Sequence, residues 1–335
     1  MLERYCTNCC LPDSFPGIRF NNEHVCNFCL DFKGLGYQKT PKNEYRKKFE
    51  ALIEEHKGQF IYDALMCYSG GKDSTYTLAL LKEKYHLNVL AVSIDNGFIP
   101  HQTLENIKNV VEKLGVDHTM IKPRFDILAK IFSYCATNDV YPLKALERSS
   151  SICTSCMGII KYSALRLALE KGIPFVIYGW SPGQAPISSS ILKNIPSMVK
   201  KMQATLLSPL NKIAGDKIIP YFLENKHFDG SYIFPYNINP MAFLNYDIEL
   251  IYKSISRLGW KRPGEVDASS SNCLLNSYAN LVHKERLGFH PYSFELANLI
   301  REGVMNRNIA LQTLEAQDNS SVIEMVRQKI KRGRC

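Results

Sequence analysis

A short apolar run, Ala64 to Tyr68, ends in the sequence Ser-Gly-Gly-Lys-Asp-Ser at residues 69–74 and leads directly into a helical pattern. Two glycines let the backbone bend so that its N–H groups converge, and the following helix adds the positive end of its dipole. Lys72 supplies a mobile cation beside this nest of N–H groups. The stretch therefore predicts a strand, a phosphate-binding loop and a helix, a combination typical of α/β proteins.

Strands and helices are predicted to alternate through the rest of the body. The predicted strands are 64–69, 89–94, 118–121 and 175–178, and the predicted helices are 74–85, 101–114, 126–136 and 158–170. Such alternation indicates βαβ units, hence an α/β fold with a doubly wound parallel sheet. Ligands bind such sheets at the strand C-terminal ends, so the loops 69–74, 95–97 and 179–186 should face one crevice.

Five regions are predicted along the chain. They are a cysteine-rich zinc ribbon (1–32), a helical linker (33–58), the nucleotide-binding body (59–186), a substrate-covering insertion (187–262), and a segment with Cys273 followed by C-terminal helices (263–335). Asn306 is predicted to cap one of those helices.

The composition predicts a cytosolic protein and is compatible with an anionic partner. No apolar run approaches the ~20 residues that span a bilayer, and the N-terminus lacks the apolar core of a signal peptide. Lys and Arg outnumber Asp and Glu by 41 to 32, a net charge of +9. This excess favours a nucleotide-linked substrate or RNA, and a solvated basic face without a partner explains it equally well. Because the cytosol keeps thiols reduced, the eleven cysteines indicate metal binding rather than disulfides.

Two Cys-x-x-Cys pairs, Cys6 with Cys9 and Cys26 with Cys29, have the spacing of a zinc ribbon. Four thiolates close a tetrahedral site, so we expect a structural Zn²⁺ and not a catalytic one. A head of about 30 residues cannot bury a sufficient core, so zinc would supply most of its folding free energy, on the order of 10 kcal/mol. Cys10 is an alternative to Cys9 as a ligand.

A second group of cysteines is predicted in the body. Cys153 and Cys156 form a pair just before the helix expected near Gly158, and Cys273 lies far along the chain in a polar segment. Together they could hold three irons of a [4Fe–4S] cluster and leave the fourth iron open. The alternatives are a redox pair with Cys273 merely buried, and a catalytic persulfide without a cluster.

Residues 69–74 resemble the pyrophosphate loop of N-type ATP pyrophosphatases, the PP-loop superfamily. A kinase-type P-loop is excluded because Met66 and Asp73 occupy the positions of its first Gly and its Ser or Thr. The resemblance implies an adenine nucleotide α-hydrolase-like fold, with ATP cleaved between its α and β phosphates in the presence of Mg²⁺. Lys72 and Asp73 would be catalytic. The implied nucleotide-binding residues are Ser69, Gly70, Gly71, Lys72, Asp73, Ser74, Asp95 and Gly179.

Two branches of that superfamily match different parts of the chain. The cysteine triad resembles that of the iron–sulfur sulfurtransferases that thiolate tRNA, which would make Cys153, Cys156 and Cys273 catalytic. The segments 6–18, 25–29 and 299–307, together with the Cys153–Cys156 region, resemble those of N-acetyl sugar amidotransferases, which use ammonia from a glutaminase partner. The chain departs from the second branch at 269–276, where a cysteine stands in place of a basic, His-containing segment.

The predicted reaction is therefore adenylation of a substrate carbonyl oxygen followed by its replacement with sulfur. The alternatives are an amidotransferase using ammonia and a zinc-ribbon RNA-binding module. The expected cofactors are ATP, Mg²⁺, Zn²⁺ and a [4Fe–4S] cluster. The expected partners are a nucleotide-linked sugar or a tRNA, a sulfur donor or a glutaminase, and a second copy of the chain, with no membrane.

Overall fold

The computed structural model describes residues 4–334, apart from the side chains of residues 36–38. Residues 1–3 of the predicted zinc ribbon (1–32) and Cys335 of the predicted C-terminal region (263–335) lie outside the described residues. The described strands are β1 Ala64–Cys67, β2 Val89–Ile94, β3 Asp117–Ile121, β4 Phe175–Tyr178, β5 Ile191–Lys193 and β6 Tyr236–Ile238. The described α-helices are α1 Asn27–Leu30, α2 Leu35–His56, α3 Lys72–Ala79, α4 His101–Leu114, α5 Phe125–Thr137, α6 Leu143–Leu146, α7 Ser151–Glu170, α8 Pro196–Ala214, α9 Ile248–Ser256, α10 Leu275–Leu287, α11 Ser293–Arg301, α12 Arg307–Leu314 and α13 Ser320–Arg332.

One six-stranded sheet organises the body, in the order β3-β2-β1-β4-β6-β5. All neighbours are parallel except β5 and β6, which form an antiparallel pair at one edge. The order runs outward from β1 in one direction and from β4 in the other. The carboxyl ends of β1 and β4 thus flank the topological switch point, where doubly wound sheets bind their ligands.

Helices cover both faces of the sheet, which confirms the predicted doubly wound α/β architecture. One core includes β1 residues Ala64 and Met66 with Phe49 of α2, Leu78 of α3 and Val110 of α4. The opposite sheet face packs side chains of β1, β2 and β4 against α7. Because both faces are buried, the central strands are continuously apolar.

One helix among the described residues, α7, is long and apolar enough to cross a membrane by length and composition. The expectation that no stretch approaches this length was therefore wrong. In the structure 61% of its apolar window is buried inside the protein, so core packing accounts for its composition.

Two helix starts differ from the prediction. The helix after the phosphate loop begins at Lys72 rather than Ser74, and it continues as a π-helical turn, Leu80–Lys84. Helix α7 begins at Ser151 rather than near Gly158, because the side chain of Ser150 accepts a hydrogen bond from the backbone N–H of Cys153 and caps the helix. Cys153 and Cys156 therefore lie inside the helix and not before it.

The region 187–262, predicted as an insertion, contributes β5 and β6 to the main sheet. It also contains α8 and α9, and α9 packs in the same core as α3 and α4.

The cysteine-rich head packs against two helices near the C-terminus, α11 and α12, through an aromatic cluster. Phe15 lies 5.2 Å from Phe289 and 5.6 Å from Phe294, measured between ring centroids.

Candidate functional site

The phosphate loop lies at the switch point, between the end of β1 and the start of α3. Gly70 has φ +74°, a conformation that glycine adopts without strain. The hydroxyls of Ser74 and Thr75 both donate to the carbonyl of Gly71, at 3.0 and 2.8 Å. These bonds fix the loop against the first turn of α3, whose free N–H groups point out of the helix end.

Gly179, directly after β4, touches the same turn. A Cβ atom at Gly179 would lie 2.5 Å from Cα of Ser74 and 2.8 Å from its backbone nitrogen. Only a residue without a side chain permits this approach. The loop after β4 and the phosphate loop therefore form one packed unit.

Lys72 and Asp73 form a charged network with a tyrosine from the region before α9. Nζ of Lys72 donates to both carboxylate oxygens of Asp73, at 2.7 and 2.8 Å, and to Oη of Tyr246 at 2.7 Å. Oη of Tyr246 in turn donates to Oδ1 of Asp73 at 2.7 Å. Burial and the charge of Asp73 raise the pKa of Tyr246 far above its ordinary value, so the phenol keeps its proton. Nothing in the sequence around Tyr246 pointed to this role.

The loop after β2 contributes Asp95 and Asn96. Oδ1 of Asp95 accepts the N–H of Gly97 at 2.8 Å, and Oδ2 pairs with Lys122 at 3.1 Å. Asn96 is 7% exposed and its Oδ1 accepts the N–H of Phe98 at 2.9 Å. This bond aims the Nδ2 group of Asn96 away from the loop, toward the cysteines.

A distant segment covers the phosphate loop. Oγ of Ser271 accepts the backbone N–H of Lys72 at 3.3 Å, and Nδ2 of Asn272 donates to the carbonyl of Ser69 at 3.3 Å. On the other side of the loop, Nε1 of Trp260 donates to the carbonyl of Gly70 at 2.8 Å. The polar segment around Cys273 is thus adjacent to the nucleotide site.

The three body cysteines converge beside this segment. Nδ2 of Asn96 donates to Sγ of Cys156 and to Sγ of Cys273, at 3.5 Å each, so the two sulfurs lie within twice that distance of each other. Sγ of Cys153, one helical turn from Cys156, lies 3.8 Å from Oδ1 of Asn276. The structure therefore brings together residues that are 120 positions apart in the sequence.

The three body sulfurs are more widely spaced than the four sulfurs of the head. In the described residues these three sulfurs do not reach the spacing of a single-ion site, defined by all ligand atoms within 4.8 Å of one another. Burial raises the pKa of Cys153 and of Cys156 to about 12, and it also raises the pKa of Cys273. Three buried thiols without a cation stay protonated, whereas iron binding would stabilise them as thiolates.

A buried carboxyl group lies on the same side of the crevice. Glu295 of α11 accepts Oγ of Ser181 at 2.6 Å and Nε2 of Gln184 at 3.0 Å. Burial raises the pKa of Glu295, and the charges of Asp73 and Lys72 act on it as well. No local pattern predicted a role for Glu295, because a lone Glu on a helix ordinarily faces solvent.

The four head cysteines form a compact tetrad. The sulfurs of Cys6, Cys9, Cys26 and Cys29 lie within 4.8 Å of one another. The Cys9–Cys26 and Cys6–Cys29 sulfur distances are 3.7 and 3.9 Å, close to the ~3.8 Å edge of a tetrahedron with Zn–S bonds of ~2.3 Å. Cys10 is not part of the tetrad, since its thiol donates to the carbonyl of Ser293 at 3.7 Å.

Two arginines from the far end of the chain hold this tetrad. Nη1 of Arg301 lies 3.6 Å from Sγ of Cys9 and 3.7 Å from Sγ of Cys29. Hydrogen bonds from Cys26 and Cys9, followed by that from Arg301, lower the pKa of Cys29. The guanidinium of Arg307 donates to the carbonyls of Cys6 and Cys9. The head therefore has a donor set and a cationic surrounding that fit thiolate ligation of one ion.

These features define an α/β phosphate-loop site next to a cysteine triad, and comparison with known proteins refines that class. Residues 63–159 match the family model described as queuosine biosynthesis protein QueC, a PP-loop family. The match covers β1, the phosphate loop and the first part of α7, which contains Cys153 and Cys156. Over these residues the chain matches the PP-loop class that its resemblance to N-type ATP pyrophosphatases predicted.

Similar proteins differ in how much of the chain they share. Protein MJ1599 of Methanocaldococcus jannaschii, which is uncharacterized, is 24% identical over 298 residues, covering 89% of this chain and 88% of that protein. The argininosuccinate synthase of Dictyoglomus thermophilum is 28% identical over 48% of this chain and 39% of its own length. Among solved structures, the U34-tRNA thiolase NcsA from Methanococcus maripaludis with its [4Fe-4S] cluster has 17% identity and a TM-score of 0.39, covering 99% of this chain and 89% of that one.

Proposed function

We propose that this PP-loop enzyme adenylates a carbonyl oxygen of its substrate, with release of pyrophosphate, and then replaces that oxygen with sulfur. The observation that carries the proposal is the position of Cys273. Its segment bonds the phosphate loop through Ser271, while its sulfur shares the amide of Asn96 with Cys156. The segment that contacts the phosphate loop through Ser271 and Asn272 therefore also carries the proposed sulfur ligand Cys273, one or two residues further along the chain.

The proposed roles follow from position and charge. The N–H groups and hydroxyls of residues 69–74 bind the phosphates, and Lys72 compensates the charge that develops on the leaving pyrophosphate. Asp73 orients Lys72 or helps hold Mg²⁺ together with phosphate oxygens. Asp95 and Gly179, on the loops after β2 and β4, bound the space for the adenosine. Positioning of the substrate oxygen at the α-phosphate then dominates the rate.

Two metal groups belong to the proposal. Cys6, Cys9, Cys26 and Cys29 would hold a structural Zn²⁺ with no open position. Cys153, Cys156 and Cys273 would hold a [4Fe–4S] cluster, which supplies one iron free of protein ligands to bind sulfur. Nδ2 of Asn96 would donate to two of the thiolates, whereas Oδ1 of Asn276 accepts the S–H of Cys153 only while that thiol is protonated.

An amidotransferase remains the second candidate, for one specific reason. The head and residues 299–307, two of the regions through which the chain resembles N-acetyl sugar amidotransferases, pack together through Arg301 and Arg307. In that reaction ammonia from a glutaminase partner replaces the adenylated oxygen and no cluster is required. The proposed substrate is accordingly a tRNA or a nucleotide-linked sugar, and the proposed location is the cytoplasm.

The deciding experiment uses anaerobically purified protein with labelled nucleophiles. ATP should yield AMP and pyrophosphate in the presence of candidate substrates, and label from sulfide should reach the product. Label from ammonia would favour the amidotransferase. ADP and phosphate as products would contradict the PP-loop chemistry altogether.

A further inference from the structure

Residues 268–272, here named the strap, lie across the phosphate loop and lead into Cys273. The strap begins where Arg262 donates to the carbonyl of Ala268 at 3.2 Å, and it ends before Leu274, whose N–H donates to the carbonyl of Phe98 at 2.9 Å. Both ends are therefore fixed to the body of the protein.

Between those ends the strap is weakly attached. Among the described residues its hydrogen bonds to the phosphate loop are those of Ser271 with Lys72 and of Asn272 with Ser69, at 3.3 Å each. Both are longer than the ~2.9–3.0 Å of an ordinary N–H···O bond. The other bonds of residues 269–272 are internal to the turn or to Asp267. A ligand that offers better acceptors can therefore displace the strap at small cost.

The position of Ser271 identifies that ligand. The N–H of Lys72 is in the first turn of α3, where helix N–H groups lack an intrahelical partner and bind anions. Oγ of Ser271 accepts the hydrogen bond from this N–H and would lie 2.9 Å from a Cβ atom at Gly71. It therefore occupies the position in the phosphate loop that a phosphate oxygen would take. A phosphate oxygen and the Ser271 hydroxyl cannot both take the same N–H group.

We propose that the strap is a nucleotide-responsive cover, displaced when the phosphate chain of ATP replaces Ser271 on the backbone N–H of Lys72. This rests on the proposed nucleotide site. Because the strap joins that site to Cys273, its displacement opens the path between the phosphate loop and the cysteine triad. Ser271 is thus a positioning residue that keeps the sulfur chemistry covered until ATP is bound.

Hydrogen–deuterium exchange with α,β-methylene-ATP, which resists cleavage between those phosphates, tests the strap directly. We expect the analogue to slow exchange in the loop peptide 69–74 and to speed exchange in the strap peptide at least fivefold. Protection of the loop with unchanged or slower exchange in the strap would overturn the cover and leave the nucleotide site intact. No protection of the loop would remove the nucleotide site and the cover together.

Affinity gives a second test with a matched control. Ser271→Ala removes the competing hydroxyl, so the analogue should bind about 2- to 10-fold more tightly, the worth of one net hydrogen bond. Ser269→Ala removes a buried hydroxyl of the same segment that has no hydrogen-bond partner among the described residues, and it should leave the affinity unchanged. Equal affinities in Ser271→Ala and the parent protein would contradict competition.

Discussion

Lys72 is held in place before any ligand binds, because Asp73 and Tyr246 both bond its ammonium group. Replacing Lys72 with Ala should lower pyrophosphate release at least 100-fold, the typical loss when one charge-stabilising donor is removed. The thermal midpoint should change little, since the loop contributes little to the core. Lys108→Ala, an exposed lysine of α4, is the control and should retain parent activity. Release within twofold of the parent in Lys72→Ala would contradict the loop assignment.

Asn96 is the residue that joins two of the three body sulfurs. Asn96→Ala removes both N–H···S bonds, and loss of such a supporting bond typically weakens metal binding 10- to 100-fold. We expect the variant to lose most of its iron and brown colour after anaerobic desalting. Asn109→Ala, an exposed residue of α4, should keep both. Parent iron content in Asn96→Ala would show that the amide does not support the cluster.

The sequence predicted the phosphate loop and six of the seven cysteines that the structure groups, because these residues occur in short local patterns. The lone Cys273 was predicted from its polar surroundings and from the resemblance to iron–sulfur sulfurtransferases. Asn96, Tyr246, Ser271 and Glu295 were missed for the opposite reason. Each acts through a partner far along the chain, 177 residues away for Asn96 and Cys273 and 173 for Tyr246 and Asp73. A single sequence does not encode such pairings in any local spacing.

At the scale of elements, Gly179 sets the distance between the loop after β4 and helix α3. Gly179→Ala would place a methyl group 2.5 Å from the backbone of Ser74, and backbone cannot rotate aside as a side chain can. We expect a loss of about 1–3 kcal/mol in the free energy of unfolding, the usual cost of overpacking, together with weaker ATP binding. Gly264→Ala has no atom within 4 Å of the added methyl and should be neutral. Chemical denaturation and ATP titration measure both; equal behaviour of the two variants would contradict the steric argument.

The head is an element that we expect to depend on zinc. Cys26→Ser should remove the ion, with a loss on the order of 10 kcal/mol for the head, and leave any iron in the body because the two groups share no cysteine. Cys10→Ser is the matched control, since its thiol bonds Ser293 and not the tetrad. Metal analysis should find one zinc per chain in Cys10→Ser and none in Cys26→Ser. Joint loss of zinc and iron in Cys26→Ser would show that the ligands are misassigned.

The pattern of residues predicted some elements fully and others not at all. Strands β2 and β4 and helix α4 have the predicted ends, because apolar runs or a helical stripe bounded by turn residues define them. Strands β5 and β6 have three residues each, too few to show alternation. The first turns of α7 were missed because Ser, Thr and Cys have weak helix propensity, and the Ser150 cap and core packing outweigh it.

At the scale of the whole molecule, two buried histidines should make stability depend on pH. Burial lowers the pKa of His283 and of His290 to about 4, against about 6.5 in an unfolded chain. Between these values the unfolded chain binds more protons, so the free energy of unfolding falls as pH drops from about 6.5 to about 4. Each histidine acting alone would contribute up to about 3 kcal/mol, and two neighbours contribute less than twice that.

Urea denaturation at pH 7.5, 6 and 5 measures this slope. His283→Gln should flatten it, whereas His101→Gln, at a side chain that is 86% exposed, should not. His290 also faces Asp267, Lys284 and Asp318, whose charges enter the same titration. An identical slope in His283→Gln and the parent would place the pH response elsewhere.

The contact between the head and Arg307 has a consequence for synthesis of the protein. Cys6 and Arg307 are 301 residues apart, so the arginines that cover the tetrad leave the ribosome long after the tetrad itself. At ~5–20 residues per second, the head waits about 15–60 s for them. During that interval the thiolates are open to metal exchange and oxidation, and only completion of the C-terminal helices closes them in. We therefore expect metal exchange in the head to be faster on the nascent chain than in the complete protein.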